Sequence, residues 1–217
     1  MKKTLILLAV FVFCFSSQIS SQSDSSQLSD ILNSMRESEK STNSLEVDYK
    51  EEILYTSALQ KQEINGNLKF LKPKRFFIFQ KTPQEQRIYI NNNKVTVYTP
   101  SNAQAIINNW KDVLNSDFTP ISMVDFASNW QTSQKSNSLR YVSEDSQNYV
   151  LELSPNKKDW TMALYISKSI FRPVKVILKN SGYTMTVVFS NYKTNQIASN
   201  SIFNFKPPSG VEIINLD

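Results

Sequence analysis

Histidine is absent from this 217-residue chain, and its single cysteine, Cys14, sits near the start. Glycine is scarce as well, with three residues, Gly66, Gly182 and Gly210, scattered far apart. These gaps exclude most enzyme chemistries. Past the first two dozen residues there is no imidazole base, no thiolate nucleophile and no soft metal site. Three isolated glycines cannot build a phosphate-cradling loop. The carboxylate neighbours Glu51-Glu52 and Glu144-Asp145 fall in strand-like stretches, where adjacent side chains point to opposite faces, so neither is an acid/base pair. No Gly-x-Ser-x-Gly elbow is present. The sequence therefore predicts a protein that is not an enzyme and carries no metal or cofactor. Long apolar runs are missing too, since nothing beyond the first residues approaches the ~20 needed to span a bilayer as a helix.

What the start does contain is a leader. Met1-Lys2-Lys3 is positive, Leu5 to Phe15 is apolar, and Ser16-Ser17-Gln18-Ile19-Ser20-Ser21 turns small and polar. That is the pattern of a secretory signal peptide, too short to span, with cleavage expected after Ser21. Cys14 could mark a lipidation site, but Val12 and Phe13 precede it where small residues are wanted, which favours a plain apolar residue in a discarded peptide. An exported single domain over 22–217 follows. The net charge of +5, two units of which leave with Lys2 and Lys3, is a small excess, and export argues against nucleic acid as a partner.

Apolar spacing then changes early in the chain. Leu28, Ile31, Leu32 and Met35 lie on one helical face, with Ser25 or Ser26 as cap and a Ser-rich lead-in expected to be disordered from Ser21 to Gln27. After Ser41–Ser44 the period drops to two. Leu45, Val47, Tyr49, Ile53 and Tyr55 alternate with polar neighbours, as do Leu68 and Phe70. Further strands are predicted over 75–80, 86–90, 94–99, 139–142, 149–153, 160–166, 174–179, 183–191 and 201–205, many separated by turn signals such as Asn91-Asn92-Asn93 and Asn180-Ser181-Gly182. Two helical windows interrupt this meander. One spans 103–114, with Ile106, Ile107, Trp110, Val113 and Leu114. The other opens at Thr119-Pro120, cap plus proline, and carries Ile121, Met123, Val124, Phe126 and Ala127.

A sheet this large cannot stay flat, because strand twist accumulates. The fold class expected is α+β, mainly β: a strongly bent antiparallel sheet of about ten or eleven strands whose concave side is plugged by the helices. An ordinary dry core between helix and sheet satisfies the same composition.

A resemblance favours a hollow over a dry core. Phe203-Asn204-Phe205-Lys206-Pro207-Pro208-Ser209-Gly210-Val211 resembles the closing motif Phe-x-Phe-x-Pro-Pro-x-Gly-Val of the LolA-type periplasmic lipoprotein carrier family. Phe70-Leu71-Lys72-Pro73 with Phe76, then Pro83, then Val97-Tyr98-Thr99-Pro100 is similar to that family's first half. Leu151-Glu152-Leu153-Ser154-Pro155 resembles its Leu-x-Pro strand end, and Thr119-Pro120-Ile121-Ser122-Met123-Val124 its lid helix. The resemblance implies an incomplete antiparallel β-barrel with helices as a lid over a hydrophobic cavity for the acyl chains of lipoproteins. It further implies a periplasmic location, an inner-membrane lipoprotein-releasing ABC transporter complex as donor, an outer-membrane acceptor, and a monomer. The candidate cavity and lid residues are Phe76, Ile78, Tyr98, Trp110, Ile121, Met123, Val124 and Phe126. A one-residue slip would exchange Phe76 and Ile78 for Phe77 and Phe79, because strand faces alternate.

Where the family has an arginine that holds the lid, this chain has Lys72, which keeps the charge but loses the planar fork of donors. Lys72, Lys74 and Arg75 are candidates for the latch or for docking. With Lys69, Lys81 and Arg87 they crowd an interval whose only acid is Glu85, either a docking surface or a solvated strand face.

Energetics set the requirement for such a carrier. A triacyl anchor has on the order of 45 methylenes, and at about 0.8 kcal/mol each its exposure would cost more than ~30 kcal/mol. Non-covalent affinity saturates near −18 to −21 kcal/mol, roughly, so an energised donor is needed. Two other readings stay open: a lipid-binding sensor or storage domain with the same cavity, and a secreted β-rich interaction protein with a dry core.

Overall fold

The computed structural model describes residues 20–58, 60–109, 120–157, 159–197 and 199–216. A long helix, α1 (Ser20–Lys40), leads into β1 (Ser44–Tyr55), β2 (Lys61–Leu71), β3 (Arg75–Thr82), β4 (Gln86–Asn91), β5 (Lys94–Thr99) and β6 (Gln104–Asn109). A 3-10 turn at Pro120–Met123 and a short helix, α2 (Phe126–Ser133), follow. The chain then runs through β7 (Asn137–Glu144), β8 (Asn148–Pro155), β9 (Trp160–Ser167), β10 (Pro173–Asn180), β11 (Tyr183–Thr194) and β12 (Glu212–Asn215).

All twelve strands form one sheet in the order β12-β6-β5-β4-β3-β2-β1-β11-β10-β9-β8-β7, with β12 and β7 left as edges. The sheet is mainly antiparallel and does not close, an incomplete barrel. The join that makes it continuous is β1 against β11, with Leu45 opposite Thr194 and Tyr55 opposite Tyr183. Period-two burial gives one dry inner face: Leu45, Val47 and Tyr49 on β1, Leu68 and Phe70 on β2, Leu164 and Ile166 on β9, Val187 and Phe189 on β11. Ile31, Leu32 and Met35 of α1 join this same cluster, so the helix lies inside the curve. Gly66 has a packing reason. A Cβ there would stand 2.5 Å from the Tyr49 ring, which lies across the glycine. No helix among the described residues is long and apolar enough to cross a membrane.

Several expectations are corrected. The helix starts at Ser20, so the lead-in from Ser21 is helical rather than disordered. The window 103–114 is not a helix as far as it is described: Ala103 takes a left-handed conformation (φ 48°) and turns the chain into β6. There Gln104–Asn109 pairs with β5 on one side and, in parallel, with β12 on the other. Paired neighbours on both sides override the ambiguous apolar spacing of Ile106 and Ile107. Residues 201–205 are not a strand. Ser201–Phe203 is a 3-10 turn, and the true last strand is β12 further on. The leader residues Met1 to Ile19, Trp110 and Thr119 lie outside the described residues.

Candidate ligand cavity and its lid

Pro120 opens the 3-10 turn, and α2 begins only at Phe126, where Asp125 occupies the cap position without a side-chain bond to the helix. The first turn is capped from elsewhere. The Glu39 carboxylate, reaching from the end of α1, accepts the backbone N–H groups of Ala127 and Ser128, each at 2.9 Å, and the Ser128 hydroxyl at 2.5 Å. A carboxylate placed on orphan amides at a helix N-terminus stabilises that end. Glu39 is buried, and burial raises its pKa against the opposing pull of those hydrogen bonds.

Arg172, only 3% exposed, completes the clasp. Its guanidinium donates to the Val124 carbonyl at 3.4 Å, to the Ser38 carbonyl at 3.0 Å and to Thr42 Oγ1 at 2.7 Å. One side chain thus ties the segment before α2 to the end of α1. Arg36 adds a bond to the Ala127 carbonyl.

Among the described residues Lys72 makes no hydrogen bond to the lid segment, though its charge acts on Asp125 just before α2. Its ammonium donates to the Glu39 and Lys40 carbonyls at 3.1 and 2.9 Å, capping the C-terminus of α1, where a cation suits the helix dipole. The hydrogen bonds that tie down this segment come from Glu39 and Arg172, which sequence reasoning missed because both look like solvated charges. The basic interval is also partly neutralised. Lys69 meets Glu46 of the neighbouring strand at 3.2 Å, and Arg87 meets Glu85 at 2.7 Å. Lys74 is exposed and Arg75 half-buried.

Behind the lid lies a cavity of about 640 Å³. Met123, Phe126 and Trp130 form its lid side, and Leu153, Trp160 and Met162 its sheet side. The surrounding turns contribute Lys135, Asn156 and Lys157 at its edge. Trp160 Nε1 is buried and has no hydrogen-bond partner among the described residues. The volume sits within the roughly 300–1,000 Å³ of small-molecule sites, and the mix of apolar walls with a few polar groups suits an amphiphile.

Of the expected residues, Met123 and Phe126 line this space, while Val124 and half-buried Ile121 belong to the adjoining apolar cluster. Phe76 and Ile78 are in that cluster too, at 7% and 6% exposure, which resolves the alternation in favour of their face over that of Phe77 and Phe79. Tyr98 is a correction. Register sets Ile78 opposite Ile88 and Ile88 opposite Val97, so Val97 shares the inner face and Tyr98 points the other way. There Tyr98 and Tyr89 each stand 5.4 Å from Phe205, with Phe77 beyond Tyr89 at 5.1 Å. The Phe-x-Phe motif thus has a structural role, since Phe205 covers the outer face while the Ser201–Phe203 turn sits against β3 and β4.

The family described as "Outer membrane lipoprotein carrier protein LolA" matches residues 40–206. The chain belongs to the LolA family. Among sequence relatives, the outer-membrane lipoprotein carrier protein of Pasteurella multocida is 28% identical over 79% of this chain and 80% of its own length. That of Coxiella burnetii is 25% identical over 96% of this chain and 95% of its own length. The crystal structure of a conserved protein from Thermus thermophilus shares the fold, with a TM-score of 0.57 at 12% identity, covering 87% of this chain and 99% of that one. The LolA match takes in the last residue of α1, the sheet up to β11, the lid and the Phe-x-Phe motif. Glu39 falls one residue outside it, whereas Arg172 falls within.

Proposed function

We propose that this LolA-family chain is a periplasmic carrier that binds the acyl chains of lipoproteins beneath its lid and shuttles them from the inner to the outer membrane. In this reading the leader is removed near Ser21, and 22–217 works as one monomeric domain. The observation that carries it is the apolar cavity walled by Met123, Phe126 and Trp130 on a segment held in place by hydrogen bonds from Glu39 and Arg172. A carrier must hold its ligand out of water and still let go, and polar clasps on an apolar lid meet both demands.

Volume makes the lid's movement necessary. If a methylene takes about the space of a water molecule, ~30 Å³, the ~45 methylenes of a triacyl anchor need more than ~1,000 Å³. A cavity of about 640 Å³ is smaller than that, so loading displaces α2. The donor is an energised inner-membrane lipoprotein-releasing ABC transporter, because the affinity ceiling forbids unaided extraction. An outer-membrane acceptor receives the cargo downhill.

The test is photocrosslinking in cells from an unnatural amino acid at Met123, followed by mass spectrometry of the trapped species. Acylated protein supports the carrier. Free lipid alone would move the protein to a lipid sensor or store, and no adduct at all would leave a dry-core interaction protein.

A further inference from the structure

The open end of the barrel carries a line of aromatic side chains that reaches beyond the cavity, of which only Trp160 also walls it. On the inner face, Tyr55 of β1 lies opposite Tyr183 of β11, and next in the same row Asn180 of β10 lies opposite Trp160 of β9. Tyr55, Tyr183 and Trp160 therefore stand at the ends of their strands, in one line across four strands, ~14 Å long by ordinary strand spacing. Below them the same inner rows continue as Ile53, Met185 and Met162, part of or packed against the dry core. The line is the rim where the dry interior meets solvent. Tyr55 is 36% exposed, Tyr183 and Trp160 are half-buried, and the two tyrosine rings lie 6.4 Å apart.

Charge on the surrounding turns is mostly of one sign. Lys135 precedes β7, Lys157 sits between β8 and β9, and Lys179 is one residue from the end of β10, all three exposed. Lys135 and Lys157 also edge the cavity. On the turns at this end the acids are Asp159, exposed beside Trp160, and Glu85, which is already engaged by Arg87. On the nearby strand ends, Glu52 and Glu63 are held by Lys61 and Lys50, and Glu212 accepts from Gln104 at the far edge of the sheet. None of these acids forms a close ion pair with the three lysines among the described residues.

Tyrosine and tryptophan prefer the water–lipid boundary because each joins an apolar body to a polar tip, and lysines beside them attract anionic headgroups. We propose that this rim docks on the surface of a bilayer containing anionic lipid. Tyr55, Tyr183 and Trp160 sit at headgroup depth, and Lys135, Lys157 and Lys179 meet the phosphates. The purpose rests on the carrier reading above: a mouth pressed against lipid lets acyl chains pass between bilayer and cavity without crossing water. A purely acidic protein partner would not need three amphipathic aromatics in line with the cavity mouth.

Co-flotation of the purified, cargo-free chain with protein-free vesicles tests this. Phosphatidylcholine vesicles made with phosphatidylglycerol should bind it at least tenfold more tightly than vesicles without, and raised salt should erase the difference. Combined Lys135→Glu, Lys157→Glu and Lys179→Glu should lower binding to anionic vesicles at least tenfold, and Tyr55→Ser with Tyr183→Ser several-fold. The same charge reversal at the opposite end, Lys74→Glu with Lys94→Glu, should change it no more than about twofold. Thermal unfolding of each variant separates lost docking from lost folding.

Equal binding to both vesicle types, rim variants that bind like the parent, or equal loss from reversal at the opposite end would each overturn the proposal. Binding only to vesicles that carry membrane proteins would also overturn it and give the rim to a protein partner. Docking without any acylated adduct at Met123 keeps this inference and removes the carrier reading; the reverse removes docking alone.

Discussion

The two ends of the barrel are built on opposite principles. At the end where α1 stops, three charged groups near the lid have each found several partners: Glu39 holds two amides and a hydroxyl, Arg172 two carbonyls and a hydroxyl, and Lys72 two carbonyls. At the mouth, a buried indole N–H has no partner among the described residues, a tyrosine is a third exposed, and a cavity stands open between α2 and β8–β9. A satisfied polar network fixes a geometry, whereas an unfilled apolar space leaves one free to change. On the carrier reading proposed above, the clasp end stays fixed and the mouth is the end that changes.

Breaking the clasp should give the largest effect. Arg172→Met keeps the apolar stem, strands the Val124 carbonyl and leaves the buried Glu39 and half-buried Asp125 carboxyls without a neighbouring buried cation. A loss of ~2–4 kcal/mol in urea-induced unfolding is expected. A loss below about 0.5 kcal/mol would mean that the two ends do not differ as described.

The next effect lies between the ends. Glu51 points to the inner face opposite Ile64 and Val187, is 8% exposed, and burial alone raises its pKa above the ordinary 4.5. The folded chain therefore binds this proton more readily than the unfolded one. The stability from this group is fully present below 4.5 and is lost as pH rises through the folded value. Glu51→Gln, which mimics the protonated acid, should gain ~1 kcal/mol at neutral pH and nothing at pH ~4. A gain that persists unchanged in acid would show that the carboxylate is not what the interior resists.

The smallest effect belongs to the mouth. Trp160→Phe removes an unpartnered buried donor along with some ring area, two changes of opposite sign, so stability should move by less than ~0.5 kcal/mol. A loss of several kcal/mol would reveal a hydrogen bond at Nε1 and would sink the idea of an unsatisfied mouth.

Much of the sheet could be read directly from the chain. Lys94–Thr99 has its expected bounds, and β3, β4 and β7–β11 overlap their predicted windows, because a half-wet strand writes its burial into alternate residues. The same alternation held a clue to Tyr98 that went unused. In Val95-Thr96-Val97-Tyr98 the two valines share one face, which leaves the tyrosine with Thr96 on the other. β6 was misread because Gln104–Asn109 fits either period, and what settles it is β12, about a hundred residues onward. Glu39 and Arg172 left no local trace. Glu39 ends a charged helical turn and Arg172 precedes a proline, and both look like surface residues until the ends of α1 and of the lid segment are brought together.

Period and composition, which each residue expresses with its immediate neighbours, were enough to specify a β-rich chain, most of its strands and the apolar identity of the segment at α2. Strand register, the face that Tyr98 takes, the pairing of Glu39 with α2 and the alignment of Tyr55, Tyr183 and Trp160 depend on contacts between segments far apart in the chain. Those contacts exist only after a twelve-stranded sheet has curled around α1, so no local pattern could encode them.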